Sequence, residues 1–123
     1  MNSFVLGPNQ VKWLEALESG DYQQERGTLR SGNGYCCLGV AAELFKTEDV
    51  VVECHGTKRK YHIYDGESAC APKYAQDALK LFDNVGQPTV GTWLTELNDN
   101  GSTFEQIAAL VRLHPHHYFK EPA

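Results

Sequence analysis

Two adjacent thiols, Cys36 and Cys37, sit in the run Tyr35-Cys36-Cys37-Leu38-Gly39-Val40 and are the residues of this chain best suited to covalent chemistry. A Gly-rich turn precedes them and an apolar helix is expected to follow. A cysteine at a helix start meets the positive end of the macrodipole, which lowers a thiol pKa and favours the nucleophilic thiolate. Thiol catalysis also requires a base within hydrogen-bond reach and a third group to orient it. His55 or His62 would serve as base and Asn98 or Asp99 as orienting group, while Gln24 could donate to an oxyanion. The same two cysteines fit equally well as small core residues, since free Cys is among the most buried residue types.

The order Cys, His, then Asn or Asp is that of papain-like enzymes, but the local papain-type sequence around the cysteine is absent. A second constellation is basic and aromatic: Lys58-Arg59-Lys60-Tyr61-His62-Ile63-Tyr64, with Arg30 and Tyr35 flanking Gly32-Asn33-Gly34. Cations beside aromatic rings suit a nucleotide, charge for the phosphate and a ring face for the base. A solvated hairpin tip has the same composition. The segment Asn98-Asp99-Asn100-Gly101 either turns the chain between two helices or lends Asn98 and Asp99 to a ligand. His114-Pro115-His116-His117 places three imidazoles close together, but a proline-broken tail is a poor preorganised metal site. No metal and no cofactor is expected, and no Walker-type or dinucleotide glycine pattern occurs.

The elements that must carry these residues are legible as punctuation and period. Pro8 opens a first helix that Gly20 closes, with Val11, Trp13, Leu14 and Leu17 on its apolar side. Residues 21–34 read as an irregular link. A second helix, about 36–46, is apolar on nearly every side and interrupted by Glu43, so it should be the buried centre. Residues 50–55 and 60–64 read as two strands joined by a hairpin turn at 56–59. Further helices are expected over 72–82, with Tyr74, Ala78, Leu81 and Phe82 on one side, and from near Pro88 to Leu97. The last helix starts at a capping box, with Ser102 as cap and Glu105 reaching back. The expectation is an α+β fold, mostly helical with about five helices and one small antiparallel hairpin, as a single domain over 1–113 with an irregular tail over 114–123.

At 123 residues the chain is long enough to bury a core without disulfides. Its four cysteines lack the paired spacing of a zinc site. A net charge of -5 argues against general nucleic-acid coating, which needs a basic surface. No apolar run approaches a membrane span, and Met1 to Leu6 lacks the basic and apolar regions of a signal peptide, so a cytoplasmic location is expected.

Taken together, Trp13, Ser19-Gly20-Asp21-Tyr22, Gln24, Gly27-Thr28-Leu29, the Tyr-Cys-Cys-Leu-Gly-Val run, Leu97-Asn98-Asp99 and Phe104-Glu105-Gln106-Ile107-Ala108 form a pattern. The chain thereby resembles a widespread group of small, mostly uncharacterised bacteriophage and prophage proteins, over about 13–108. The resemblance implies a phage origin, and small phage accessory proteins often act against host defences, some by sequestering or cleaving nucleotide immune signals. The expected activity is therefore binding, or degradation, of a small anionic nucleotide-type ligand. Gln24, Arg30, Tyr35, Lys58, Arg59, Lys60, Asn98 and Asp99 would form the site, closed by a homo-oligomer. The alternatives are a hydrolase built on Cys36 or Cys37 with His62, a nuclease-like activity around Asp99, and an inhibitor whose acidic surface binds a basic host protein.

Overall fold

The computed structural model of the chain describes residues 4–47, 51–55 and 59–123. Six helices fall among them: α1 (Pro8–Glu18), α2 (Cys37–Phe45), α3 (Lys73–Leu79), α4 (Leu94–Asp99), α5 (Phe104–Leu113) and α6 (Pro115–Tyr118). Five strands, β1 (Gln23–Gln24), β2 (Arg30–Ser31), β3 (Gly34–Tyr35), β4 (Val51–His55) and β5 (Arg59–Ile63), form one sheet in the order β1-β3-β2-β5-β4. The fold is α+β and mostly helical, as expected. No helix among the described residues is long and apolar enough to cross a membrane.

The apolar α2 is the centre of the core. Cys37 to Ala42 are all buried, and α1, α3 and α4 pack against this helix. Gly39 is required there: a Cβ at that position would collide with the Leu29 carbonyl, so α2 and the loop that carries Leu29 could not touch. Trp13 on α1 is fully buried and its indole N–H donates to the Cys37 carbonyl at 2.9 Å. That bond satisfies the polar end of a large aromatic side chain.

The hairpin is present as β4 paired antiparallel to β5, with Val52 opposite His62 and Val51 opposite Ile63. Its turn, with Lys58, lies outside the described residues. The sheet is wider than the hairpin, however. Residues 21–34, read as an irregular link, contribute together with Tyr35 three two-residue strands. β2 pairs with β5 at Ser31–Tyr61, β3 pairs antiparallel to β2, and β1 runs parallel to β3. Strands this short carry no readable alternation, so long-range pairing alone defines them.

Other boundaries differ for local reasons. α4 begins at Leu94, not near Pro88, because the intervening chain includes Gly91 at φ +111 and an extended Trp93. Val90 and Trp93 are consequently exposed. α3 ends at Leu79 with Lys80 left-handed at φ +59, which leaves Phe82 outside the helix and 40% exposed. The cap of α5 is Thr103 and not Ser102. Its hydroxyl accepts from the Gln106 N–H at 3.1 Å, and Gln106 Oε1 accepts from the Thr103 N–H at 2.9 Å. Two overlapping frames, Ser102-Glu105 and Thr103-Gln106, both satisfy the capping pattern; the structure uses the second.

The final ten residues are not the irregular tail expected. Pro115 starts the one-turn α6, Tyr118 and Phe119 are buried, and Phe119 bridges to Leu81. The Phe119 ring stands edge-on to Trp13 at 6.2 Å between centroids. Buried Gln10 donates from Nε2 to the Leu79 and Glu121 carbonyls at 2.9 and 2.8 Å, tying the last residues to α1 and α3.

Candidate functional site

The first turn of a helix leaves backbone N–H groups without intrahelical partners. At α2 the chain satisfies them with the very residues that looked catalytic. Cys36 is the N-cap, and its Sγ accepts from the Gly39 N–H at 3.2 Å. The Cys37 N–H donates to Asn98 Oδ1 at 3.1 Å. Asn98 is fully buried: its Oδ1 also accepts from Gln24 Nε2 at 2.9 Å, and its Nδ2 donates to the Glu25 carbonyl at 2.7 Å. Gln24 Nε2 gives its second hydrogen to the Ser102 carbonyl at 2.7 Å. Asp99 Oδ1 accepts from the Gly27 N–H at 2.9 Å, and the Cys36 N–H donates to the Leu29 carbonyl at 3.1 Å. Trp13, Gln24, Gly27, Leu29, Cys36, Cys37, Asn98 and Asp99 therefore form one network that joins α1, β1, the 25–29 loop, α2 and α4. Both amide hydrogens of Gln24 are used within it, which leaves none for an oxyanion.

The thiols are placed as a nucleophile would be, at a helix start, but their surroundings act the other way. Cys36 is 4% exposed and Cys37 is fully buried. Burial pushes the Cys36 thiol up to about 11 despite the Gly39 and Leu38 N–H groups, and Asp99 pushes it further in the same direction. Burial raises the Cys37 thiol as well, and its Sγ donates to the Leu94 carbonyl at 3.6 Å. The expected lowering by the macrodipole is overturned because desolvation of a thiolate outweighs the field of the helix end. His62 belongs to β5. One register step beyond the Ser31–Tyr61 pair sets it opposite Arg30.

Beside the network lies an open cavity of about 140 Å³, lined by Gly27, Thr28, Cys36, Cys70, Thr95 and Asp99 among others. The Thr28 hydroxyl oxygen is itself sealed from solvent, with no hydrogen-bond partner among the described residues. Cys70 in the lining is a free, partly exposed thiol.

Arg30 and Tyr35 lie elsewhere, on the sheet. β2 lies between β3 and β5, so Arg30 is paired with Tyr35 on one side and neighbours the Arg59–Ile63 strand on the other. The Arg30 guanidinium lies 4.8 Å from the centre of the Tyr35 ring, a cation–π contact, and Tyr22 meets Tyr35 edge-on at 5.3 Å. Glu43, the one acid of α2, anchors this face. It accepts from Tyr64 Oη and Lys46 Nζ, both at 2.7 Å, and lies 3.8 Å from Arg30. Burial alone would raise the Glu43 carboxyl, but Lys46, Tyr64 and Arg30 together hold it below its ordinary value. Burial and Glu43 push the Tyr64 hydroxyl well up, so it stays a donor.

The model of one family, a domain of unknown function designated DUF8296, matches residues 8–114. The chain belongs to the DUF8296 family. No curated protein and no solved structure matches it.

The DUF8296 match includes every member of the α2 network and stops just short of α6. The residues brought together thus split into two groups. Gln24, Cys36, Cys37, Asn98 and Asp99 meet at the start of α2, whereas Arg30 and Tyr35 pair on the sheet, Arg30 on the strand next to the one that carries Arg59, Lys60 and His62. Sequence reasoning missed Thr28, Cys70 and the bridging role of Glu43, which receives the Tyr64 hydroxyl. The solitary acid in an apolar helix was the one available signal. His114, His116 and His117 do cluster, with His114 stacked on His117 at 4.8 Å, but no group of three possible ligands among the described residues could hold a metal ion.

Proposed function

We propose that this DUF8296 chain is a phage accessory protein that binds and sequesters a small anionic, nucleotide-type immune signal of the host. What supports this reading is the sheet face. Arg30 stacks on Tyr35 on a strand adjacent to the one that begins at Arg59 and Lys60. Phosphate would meet Arg30 and the basic hairpin, and a base would stack beside Tyr22 and Tyr35. Arg30 is the residue that decides it, because Glu43 at 3.8 Å forms a loose ion pair that an incoming phosphate can replace. Binding is favoured over thiol hydrolysis because both α2 cysteines are buried and hard to ionise. A domain of this size encloses a nucleotide poorly, so closure by a second copy is expected.

The test is incubation of the protein with a panel of cyclic dinucleotides and ADP-ribose-type signals, followed by chromatography of the filtrate before and after heating. Disappearance and intact return on heating supports sequestration, and Arg30→Gln should then weaken binding by about tenfold or more, the loss of a charged hydrogen-bond donor. Conversion to a product would replace this reading with a hydrolase, for which Asp99 would be mutated first. An untouched panel overturns it in favour of a protein partner, and binding indifferent to Arg30 overturns the placement of the site on the sheet face.

A further inference from the structure

Among the nine residues of α2, Glu43 alone is charged. Its carboxylate is held by groups from outside that helix. Lys46 Nζ donates to Oε1 and Tyr64 Oη to Oε2, both at 2.7 Å, and the Arg30 guanidinium stands 3.8 Å from Oε2. The three differ in access. Tyr64 is buried and fixes the carboxylate from within, whereas the side chains of Arg30 and Lys46 are 23% and 39% exposed. Arg30 keeps its place through other contacts: its Nε donates to the Gly32 carbonyl at 3.4 Å, and its guanidinium lies over the Tyr35 ring. A guanidinium so positioned, with its counter-ion beyond hydrogen-bond distance, is set to receive a second anion.

What can replace Glu43 between Arg30 and Lys46 is limited by charge. A carboxylate and a phosphodiester each carry one negative charge. Exchanging one for the other gains no attraction, while the ligand still loses its freedom of motion. A phosphomonoester carries about 1.5 to 2 charges at pH 7 and three acceptor oxygens, enough to meet both cations at once. A diphosphate sets two charges on adjacent groups to the same effect.

We propose that Glu43 is an internal counter-ion occupying the anion-binding point of the sheet face, and that the ligand is a nucleotide with a terminal phosphate or a diphosphate. This rests on the sheet-face reading above and deepens it. Nucleotides whose phosphates are all isolated diesters leave the contacts of Glu43 as they are. A more highly charged group takes Arg30 and Lys46 while Tyr64 retains the carboxylate.

The test is calorimetric titration at fixed pH and ionic strength with the 5′-monophosphates of the ribonucleosides and their 3′,5′-cyclic forms. Each pair differs in phosphate charge with the base unchanged. The expected result is that at least one 5′-monophosphate binds about tenfold or more tightly than its cyclic form. Glu43→Gln keeps an acceptor for Tyr64 without the charge. It should tighten the 5′-monophosphate by about fivefold or more and bring the cyclic form into the measurable range. Lys46→Gln should weaken the 5′-monophosphate and narrow its advantage over the cyclic form, and it carries the test should Glu43→Gln fail to fold. Equal affinity for the two forms, no binding of either, or a 5′-monophosphate affinity that folded Glu43→Gln leaves unchanged or lowers overturns the proposal. Arg30-dependent sequestration of a signal made only of phosphodiesters also overturns it but leaves the sheet-face reading standing. Binding of a 5′-monophosphate that ignores Arg30→Gln removes both.

Discussion

Asn98 shows how many separate segments a single buried side chain can hold together. Its amide holds the first turn of α2, the Gln24 side chain and the Glu25 carbonyl at once, with no exposure to water. Replacing it by alanine removes a partner from the buried Cys37 N–H and from the part-buried Glu25 carbonyl. Each orphan costs about 1–3 kcal/mol. Urea unfolding of Asn98→Ala should therefore show a loss of about 2–5 kcal/mol, far above that of an ordinary surface change. The cysteines make a different prediction at the same scale. Below the ordinary thiol value of 9.0 the folded and unfolded chains both keep the Cys36 proton, so stability does not change on its account. As pH rises from there toward about 11, the unfolded chain releases a proton that the folded chain retains, and stability falls. Unfolding free energies measured across this window should decline more steeply for the native sequence than for Cys36→Ala.

At the scale of elements, the helices were largely readable because their signals are local. The all-round apolar α2, Pro8 at the start of α1 and the stripe of Phe104, Ile107, Ala108 and Val111 on α5 all appear in the structure as their spacing implies. Ends were less readable where two local patterns compete. Ser102 and Thr103 each precede an acid or amide by three residues, and only the folded chain shows which hydroxyl faces the open N–H groups. Thr103→Ala should cost about 1 kcal/mol and lower the melting temperature measurably, whereas Ser102→Ala should stay within about 0.5 kcal/mol. The two-residue strands of residues 21–35 lay below any sequence signal. They exist because β5 offers Ser31 a partner and because Leu29 can approach Gly39 closely. The paired positions of Arg30 with Tyr35, and the nearness of both to the hairpin, follow from this sheet and were not readable from spacing.

For the whole molecule, the C-terminal residues complete the core. Phe119 is 1% exposed, packs edge-on to Trp13 and bridges to Leu81, while Gln10 ties the Glu121 carbonyl to α1. Phe119→Ala should destabilise the protein by about 3–5 kcal/mol, the cost of emptying a buried aromatic site, with a matching shift in the urea midpoint. An irregular tail would show almost no change. Composition and periodicity by themselves determined the fold class, the central place of α2 and the identity of the residues worth naming, because hydrophobic period and helix punctuation are properties of neighbouring positions. Which of those residues serve the fold was decided only by tertiary structure. Asn98 and Asp99 lie some sixty to seventy positions from the groups they bind, and the cost of burying a thiolate depends on everything packed around it. The resulting division, with structural polar groups at the start of α2 and a cation on the sheet, is a consequence of long-range packing that no local pattern encodes.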